Sequence, residues 1–382
     1  MQNVSLSNAK ILVIDDSKLN RTVIKNTLSE LGFIIDEADD GESGLLKALS
    51  IKYDIIFVDT IMPKMDGIEF IREIKSKKSS EFIPLILMTG NDDLNAKIKG
   101  LNIGADDFIQ KPINQKELVA RTMSLLRLKR THDLLFEKNM LIKKELLAAK
   151  KIQQFIIPDN FSNISYPRVS GKYLPMEDIG GDFFDVYKID DNNTAFVIAD
   201  VTGHGIPAAL IVTMAKMIFS IYSSALKSPK DLLSAVNKDV YKFMFDGQYF
   251  SAFYAVYNKD KNILKFSNAG HTLPMLYRKS SGKILSLDTN SGFLVGIMEE
   301  SFYEEKAVRI EPGDRLFLYT DGLTETKNKN REDFGEKNLA KFISQNNDLI
   351  GTEFCSKLYN DVSSFSDFSP KTDDLTYMFI EF

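Results

Sequence analysis

The sequence predicts two domains of unlike architecture joined by a long helix: a doubly wound α/β domain on a parallel five-stranded sheet, then an α+β antiparallel β-sandwich flanked by helices. Three observations predict this. Short, wholly apolar runs alternate with amphipathic stretches early in the chain, a charged run without glycine follows, and the remainder sorts into long strands and separate helix blocks. A chain of 382 residues also exceeds one ordinary core. The expected divisions are residues 1–125, a helical linker over 126–158, and 159–382.

The runs KILVIDD, FIIDEADD, YDIIFVD, IPLILMTG and ADDFIQKPI supply the five strands of the first domain. Continuous apolarity means strands covered on both faces, as in a parallel sheet wrapped by helices. From Leu125 to Pro158 the chain should form one helix ended by the proline. Leu128, His132, Leu135, Asn139, Ile142, Leu146, Ala149, Gln153 and Ile156 follow a 4,3 spacing that places them along one seam. A parallel two-stranded coiled coil would cover that seam and make a homodimer; the alternative is a single helix packed on its own domains. Beyond Pro158, strands are expected at YPRVSGKYLP, GGDFFDVYKID, TAFVIADVTG, FSAFYAVYN, NILKFSNAG, MLYRK, KILSL, DRLFLYTDG and DLTYMFIEF. Helices are expected from Pro207 to Lys227, Pro229 to Phe245, Glu336 to Gln345 and Thr352 to Phe365.

Composition narrows the function classes. Hydrophobic residues at 44% and charged residues at 26% describe a globular protein, and a net charge of −5 disfavours a nucleic-acid binder, which needs a clustered basic face. Cys355 is the single cysteine, so no internal disulfide can form. The first residues lack a basic segment and meet Asp15 and Asp16 early, and no run of about 18 apolar residues occurs. A cytoplasmic protein without a membrane partner is expected.

Carboxylates close two of the early strands: Asp15 and Asp16 the first, Asp59 the third. Thr89 ends IPLILMTG and Lys111 follows the fifth strand. In open α/β sheets such strand ends gather into one site, where three carboxylates repel one another unless a hard cation such as Mg²⁺ relieves them. Over residues 8–126 these positions resemble the receiver domain of bacterial response regulators. The resemblance implies that Asp59 is the phosphoacceptor, that Asp15 and Asp16 hold Mg²⁺ beside it, and that Thr89 and Lys111 contact the phosphoryl oxygens. It also implies that Phe108 is the aromatic switch residue, that the Lys111–Pro112 bond occupies a position often cis, and that a histidine kinase is the phosphodonor partner.

Four further acids lie at strand ends or turns: Asp182 in DIGGDFF, Asp200 in IADVTGHG, Asp321 in LYTDGLTET and Asp373 in KTDDLTY. Adjacent glycines permit close backbone approach, and oxygen-only donors suit Mg²⁺ or Mn²⁺ rather than Zn²⁺. Turn formation alone does not explain carboxylates inside apolar strands, where burial is costly. In order, with the lead-in AAKKIQQFIIP, the segment GHGIPAAL, the NAGH turn and the terminal DDLT, they resemble the SpoIIE/RsbU branch of the PPM metal-dependent protein phosphatases over about residues 150–382. The resemblance implies two Mn²⁺ or Mg²⁺ ions bridged by Asp200, with the Val201 carbonyl, Asp321, Asp373 and Asp182 around them; Asp374 is the alternative at the DD pair. It implies direct hydrolysis of phosphoserine or phosphothreonine on a regulatory protein, such as an anti-anti-sigma factor, under control of Asp59 phosphorylation, with activation and inhibition both open. The residues after Cys355, SKLYND, offer no arginine for cysteine-based chemistry. His204 between two glycines is a candidate for substrate phosphate or proton donation, and His271 is expected to be structural. A catalytically inactive adaptor that only docks a partner is the alternative reading.

Overall fold

The computed structural model describes residues 8–382 apart from 79–80, 91–93, 159–160, 162–163, 165, 245–246, 290–291 and 370. It divides into two compact units, Met1–Lys143 and Lys144–Phe382.

In the first unit, β1 (Lys10–Ile14), β2 (Ile34–Ala38), β3 (Ile55–Asp59), β4 (Leu85–Thr89) and β5 (Asp107–Gln110) form a parallel sheet in the order β2-β1-β3-β4-β5. The helices α1 (Lys18–Ser29), α2 (Gly41–Ser50), α3 (Gly67–Lys77) and α4 (Leu94–Ile103) alternate with the strands. Helix starts follow local chemistry: the side chains of Ser17, Asp40 and Asp66 accept from Asn20, Ser43 and Glu69 N–H, caps each worth about 1 kcal/mol. Separate apolar clusters form on the two faces of the sheet, around Ile56 and Phe70 and around Phe57 and Ile109. The continuous apolarity of its strands comes from this double coverage.

Helix α5 runs from Gln115 to Ile156. It starts ten residues before Leu125, so the expected linker helix continues the last helix of the receiver-like unit rather than following it. The expected seam divides. Leu128, Leu135 and Ile142 are exposed, whereas Gln153 is buried in the second unit and Leu146, Ala149 and Ile156 are half-buried, so the lower part of the stripe is covered by the chain itself. His132 packs its ring 4.8 Å from that of Phe82.

The second unit is a sandwich of two antiparallel five-stranded sheets. The strands β6 (Arg168–Leu174), β7 (Asp182–Lys188), β8 (Asn193–Val201), β9 (Phe250–Asn258), β10 (Ile263–Ala269), β11 (Met275–Arg278), β12 (Lys283–Ser286), β13 (Lys306–Arg309), β14 (Arg315–Tyr319) and β15 (Leu375–Glu381) pair in the orders β13-β10-β9-β8-β7 and β12-β11-β14-β15-β6. Helices α6 (Ile206–Ala225) and α7 (Pro229–Tyr241) pack on the first sheet. After the short α8 (Asp321–Thr324), α9 (Gly335–Gln345) and α10 (Gly351–Phe365) pack on the second. Phe245, where the second helix was expected to end, lies outside the described residues. Among the described residues α6 is the one helix long and apolar enough to cross a membrane. Its Ala208, Ile211, Val212, Ala215 and Phe219 instead belong to the sandwich core.

Candidate functional site

Each unit carries a carboxylate cluster. In the first, one oxygen from each of Asp15, Asp16 and Asp59 lies within 4.8 Å of the others, with Asp15 and Asp59 buried and Asp16 exposed. The cause is topological, because parallel neighbours all end on the same edge of the sheet. Lys111 Nζ, from the turn after β5, stands 2.6 Å from Asp59 Oδ2 and 2.9 Å from Asp15 Oδ2. Burial pushes the Asp59 carboxyl above its ordinary pKa; Lys111 opposes the rise and Asp15 adds to it. Burial also works against the Lys111 cation, yet its bonds to the two aspartates carry it above the usual lysine value.

Asp15 accepts from Ser17 N–H at 2.8 Å and from the Asn20 amide at 3.1 Å, two supports not anticipated from the sequence. Among the described residues Thr89 Oγ1 is buried without a hydrogen-bond partner, a hydroxyl that suits a phosphoryl contact. Phe108 is half-buried, with the Arg121 guanidinium 5.5 Å from its ring centre. The Lys111–Pro112 bond is cis. An exposed carboxylate beside two buried ones fits a hard, partly hydrated ion such as Mg²⁺.

The second cluster forms at one end of the sandwich. Asp182 opens β7 and Asp200 is the penultimate residue of β8, and the antiparallel register sets them opposite each other. On the facing sheet β14 ends just before Asp321 and β15 begins just after Asp373 and Asp374, so these acids share one end as well. The sheets are stitched there: Thr320 Oγ1 donates to Asp182 Oδ2 at 2.7 Å. Asp374 Oδ1 accepts from Met176 N–H at 2.7 Å, and its Oδ2 from Gly181 and Asp182 N–H at 2.6 and 3.2 Å.

Close approach dictates the glycines. A Cβ on Gly322 would lie 2.0 Å from the Asp374 carbonyl oxygen, and one on Gly181 would lie 2.8 Å from that of Val201. The carboxylates feel one another strongly. Burial, with Asp321 and Asp373 beside it, pushes Asp200 up to about 7. Asp182, almost wholly buried near Asp200 and Asp374, is raised far above the carboxylate range. Burial raises Asp321 and Asp373 too, with Glu325 adding to the first and Asp321 to the second.

Among the described residues no lysine or arginine forms an ion pair with Asp182, Asp200, Asp321 or Asp373, and no three of these acids gather as tightly as the receiver trio. An oxygen-rich, wider cluster with unrelieved negative charge fits divalent cations. His204 is exposed at the rim, with Nδ1 3.3 Å from Glu177 Oε1. His271 is buried with Nδ1 2.7 Å from Ser251 Oγ, and burial lowers its pKa to about 4, so it is neutral at pH 7. The roles of Thr320 and of Asp374 as a loop anchor left no mark in the sequence, since both depend on which backbone groups arrive from the other sheet.

Fold and site together define a receiver domain fused to a PPM-type phosphatase domain. The family model for Stage II sporulation protein E (SpoIIE) matches residues 190–382, just over half the chain, and that for the response regulator receiver domain matches residues 11–123. The chain belongs to the SpoIIE family, with a receiver domain ahead of the family region. Over 233 residues, 61% of this chain and 68% of the relative, it is 27% identical to phosphoserine phosphatase RsbU of Bacillus subtilis. Over 118 residues, 31% of this chain and 48% of the relative, it is 38% identical to the transcriptional regulatory protein ResD of Bacillus subtilis. The chain thus spans about half the length of the receiver-bearing curated relatives it matches. The SiaA-PP2C domain of Pseudomonas aeruginosa superposes with a TM-score of 0.57 at 20% identity, covering 64% of this chain and 98% of that one, a likeness of fold.

Proposed function

We propose that this chain is a cytoplasmic response regulator in which phosphorylation of Asp59 by a histidine kinase controls a Mn²⁺- or Mg²⁺-dependent protein phosphatase. Its substrate would be phosphoserine or phosphothreonine on a regulatory protein, such as an anti-anti-sigma factor. The observation that carries this reading is the convergence of Asp182, Asp200, Asp321 and Asp373 at one end of the sandwich, where burial, with Asp321 and Asp373 close by, raises Asp200 to about 7. The resemblance to RsbU, whose name describes a phosphoserine phosphatase, supports the reaction class.

In this reading Asp200 and the Val201 carbonyl, with Asp182, Asp321 and Asp373, hold two divalent cations, while Asp15, Asp16 and Asp59 hold one Mg²⁺. Asp373 is favoured over Asp374 because the Asp374 carboxylate already serves three backbone N–H groups. Cations at the second cluster would supply an activated water and offset charge on the phosphoryl oxygens. Thr320 and Asp374 position Asp182, and His204 at the rim is placed to meet the substrate phosphate or give a proton to the leaving serine oxygen. Residues 1–125 would act as the receiver, 126–158 as the helical linker and 159–382 as the phosphatase. The exposed Leu128, Leu135 and Ile142 supply a surface for homodimerisation.

The test is Mn²⁺-dependent hydrolysis of a phosphoserine peptide by the full chain, with and without beryllofluoride loading of Asp59. Activity that responds to beryllofluoride in the wild type but not in Asp59→Asn is expected. Equal activity in wild type and Asp200→Asn would overturn the catalytic reading and leave the adaptor.

A further inference from the structure

The last turns of α5 hold a polar side chain that the seam pattern places in a dimer interface and the fold places elsewhere. Gln153 is 5% exposed and grips a single residue of the loop before β7. Its Nε2 donates to the Gly180 carbonyl at 2.7 Å, and its Oε1 accepts from Gly180 N–H at 3.2 Å and from Tyr173 Oη at 3.3 Å. A primary amide is the side-chain group that offers a donor and an acceptor side by side, so one glutamine satisfies both backbone groups of one residue. Both partners are buried, and losing either bond strands a polar group.

Gly180 leads straight into the acidic cluster. A Cβ there would stand 2.1 Å from Asp374 Oδ2, the oxygen that accepts from Gly181 and Asp182 N–H. The Gly181 carbonyl accepts from Val201 N–H at 3.1 Å, tying the loop to the Asp200 strand. The end of α5 is fastened separately, by Lys216 on α6, which donates to the Ile156 carbonyl and lies 3.1 Å from Asp185 Oδ2. Helix end, loop and acid-bearing strand are therefore linked through hydrogen bonds, with Gln153, among the described residues, the one α5 side chain hydrogen-bonded to the Gly180–Asp182 segment. Hydrogen bonds weaken steeply once stretched or misaligned. An axial shift of α5 by one residue, about 1.5 Å, would break both bonds to Gly180.

We propose that Gln153 is a positioning residue through which α5 sets the Gly180–Asp182 loop, and with it the affinity of the phosphatase cluster for its divalent cation. The proposal rests on the phosphatase reading above and names the contact through which control would enter. The helix acts by holding or releasing one loop, and the site responds in cation affinity before substrate affinity.

The test measures Mn²⁺ binding to the full chain by calorimetry in an Asp16→Asn background, which removes the receiver cluster's contribution. Gln153→Leu should weaken the Mn²⁺ Kd about tenfold, and Gln153→Glu, which keeps the acceptor and loses the donor, about threefold. Gln154→Leu, the same change at an exposed neighbour, should stay within twofold. For the phosphoserine peptide, kcat should recover at saturating Mn²⁺ while KM is unmoved. Wild-type Mn²⁺ affinity in Gln153→Leu overturns the proposal, and a lowered Tm with that affinity would make Gln153 purely structural. Should Gln153→Leu not fold, Gln153→Glu decides by the same criterion. If the Asp16→Asn parent itself binds no Mn²⁺, the phosphatase reading fails and this proposal falls with it, an outcome distinct from equal binding by parent and variant.

Discussion

The two carboxylate clusters solve the same electrostatic problem in opposite ways. In the receiver, Lys111 sits between Asp15 and Asp59 and relieves part of their repulsion from within. In the phosphatase unit no resident lysine or arginine is paired with Asp182, Asp200, Asp321 or Asp373 among the described residues, and burial, with Asp321 and Asp373 beside it, drives Asp200 up to about 7. A site with its own counter-charge is prepared before any ion arrives. A site without one stores repulsion that only protons or cations relieve. The first arrangement fits the proposed phosphoryl switch, the second the proposed divalent-cation centre.

The largest expected effect breaks the contrast outright. Asp200→Asn should lower Mn²⁺-dependent hydrolysis of a phosphoserine peptide by roughly 10³-fold, read as kcat, whereas Asp59→Asn should remove only the response to beryllofluoride.

Gly322→Ala comes next. Its new Cβ would press on the Asp374 carbonyl oxygen at 2.0 Å, and overpacking of that kind costs about 3 kcal/mol, measurable by urea unfolding. The receiver counterpart, Gly67→Ala, meets the Asp59 carbonyl at 2.1 Å and should cost a similar amount, as expected if both clusters depend on backbone packed against an acid-bearing segment.

A pH series sharpens the comparison further. A carboxyl whose folded pKa is raised stabilises the fold below its unfolded value, near 4, and that stability is lost as pH rises through about 7 for Asp200. The metal-free wild type should therefore lose Tm relative to Asp200→Asn between pH 4 and 8, by about 10 °C. Added Mn²⁺ should raise the wild-type Tm more at pH 8 than at pH 5, because cation and proton compete. An unchanged difference between the two proteins across the series would count against coupled burial of Asp200.

The smallest effect converts one type of site toward the other. Lys111→Met removes the internal cation, so the Tm increment on adding Mg²⁺ should grow by about 1–2 °C over wild type. No growth would mean that Lys111 contributes little to balancing the trio.

Much of this was legible beforehand. The five parallel strands, the helix blocks from Pro229 and Glu336, and the placement of Asp15, Asp59, Asp182, Asp200, Asp321 and Asp373 at strand ends follow from local apolar period and turn chemistry. The strand β13, KAVR, carries no strand signal of its own, since four residues with charged ends look like a loop; it exists through its pairing with β10. The start of α5 at Gln115 is hidden for a related reason: nothing between Gln115 and Leu125 distinguishes the final receiver helix from a linker continuing it.

The sequence by itself determined which residue types were available and the local structure that carries them: acids after apolar strands, glycines beside them, and a long helix ahead of the sandwich. Only tertiary structure decided that the Asp374 carboxylate is consumed by three backbone N–H groups and that Gln153 leaves the seam to hold Gly180. Periodicity records which side of an element a residue occupies, but the hydrogen-bond partner waiting there comes from a segment about 190 residues away for Asp374 and 27 for Gln153.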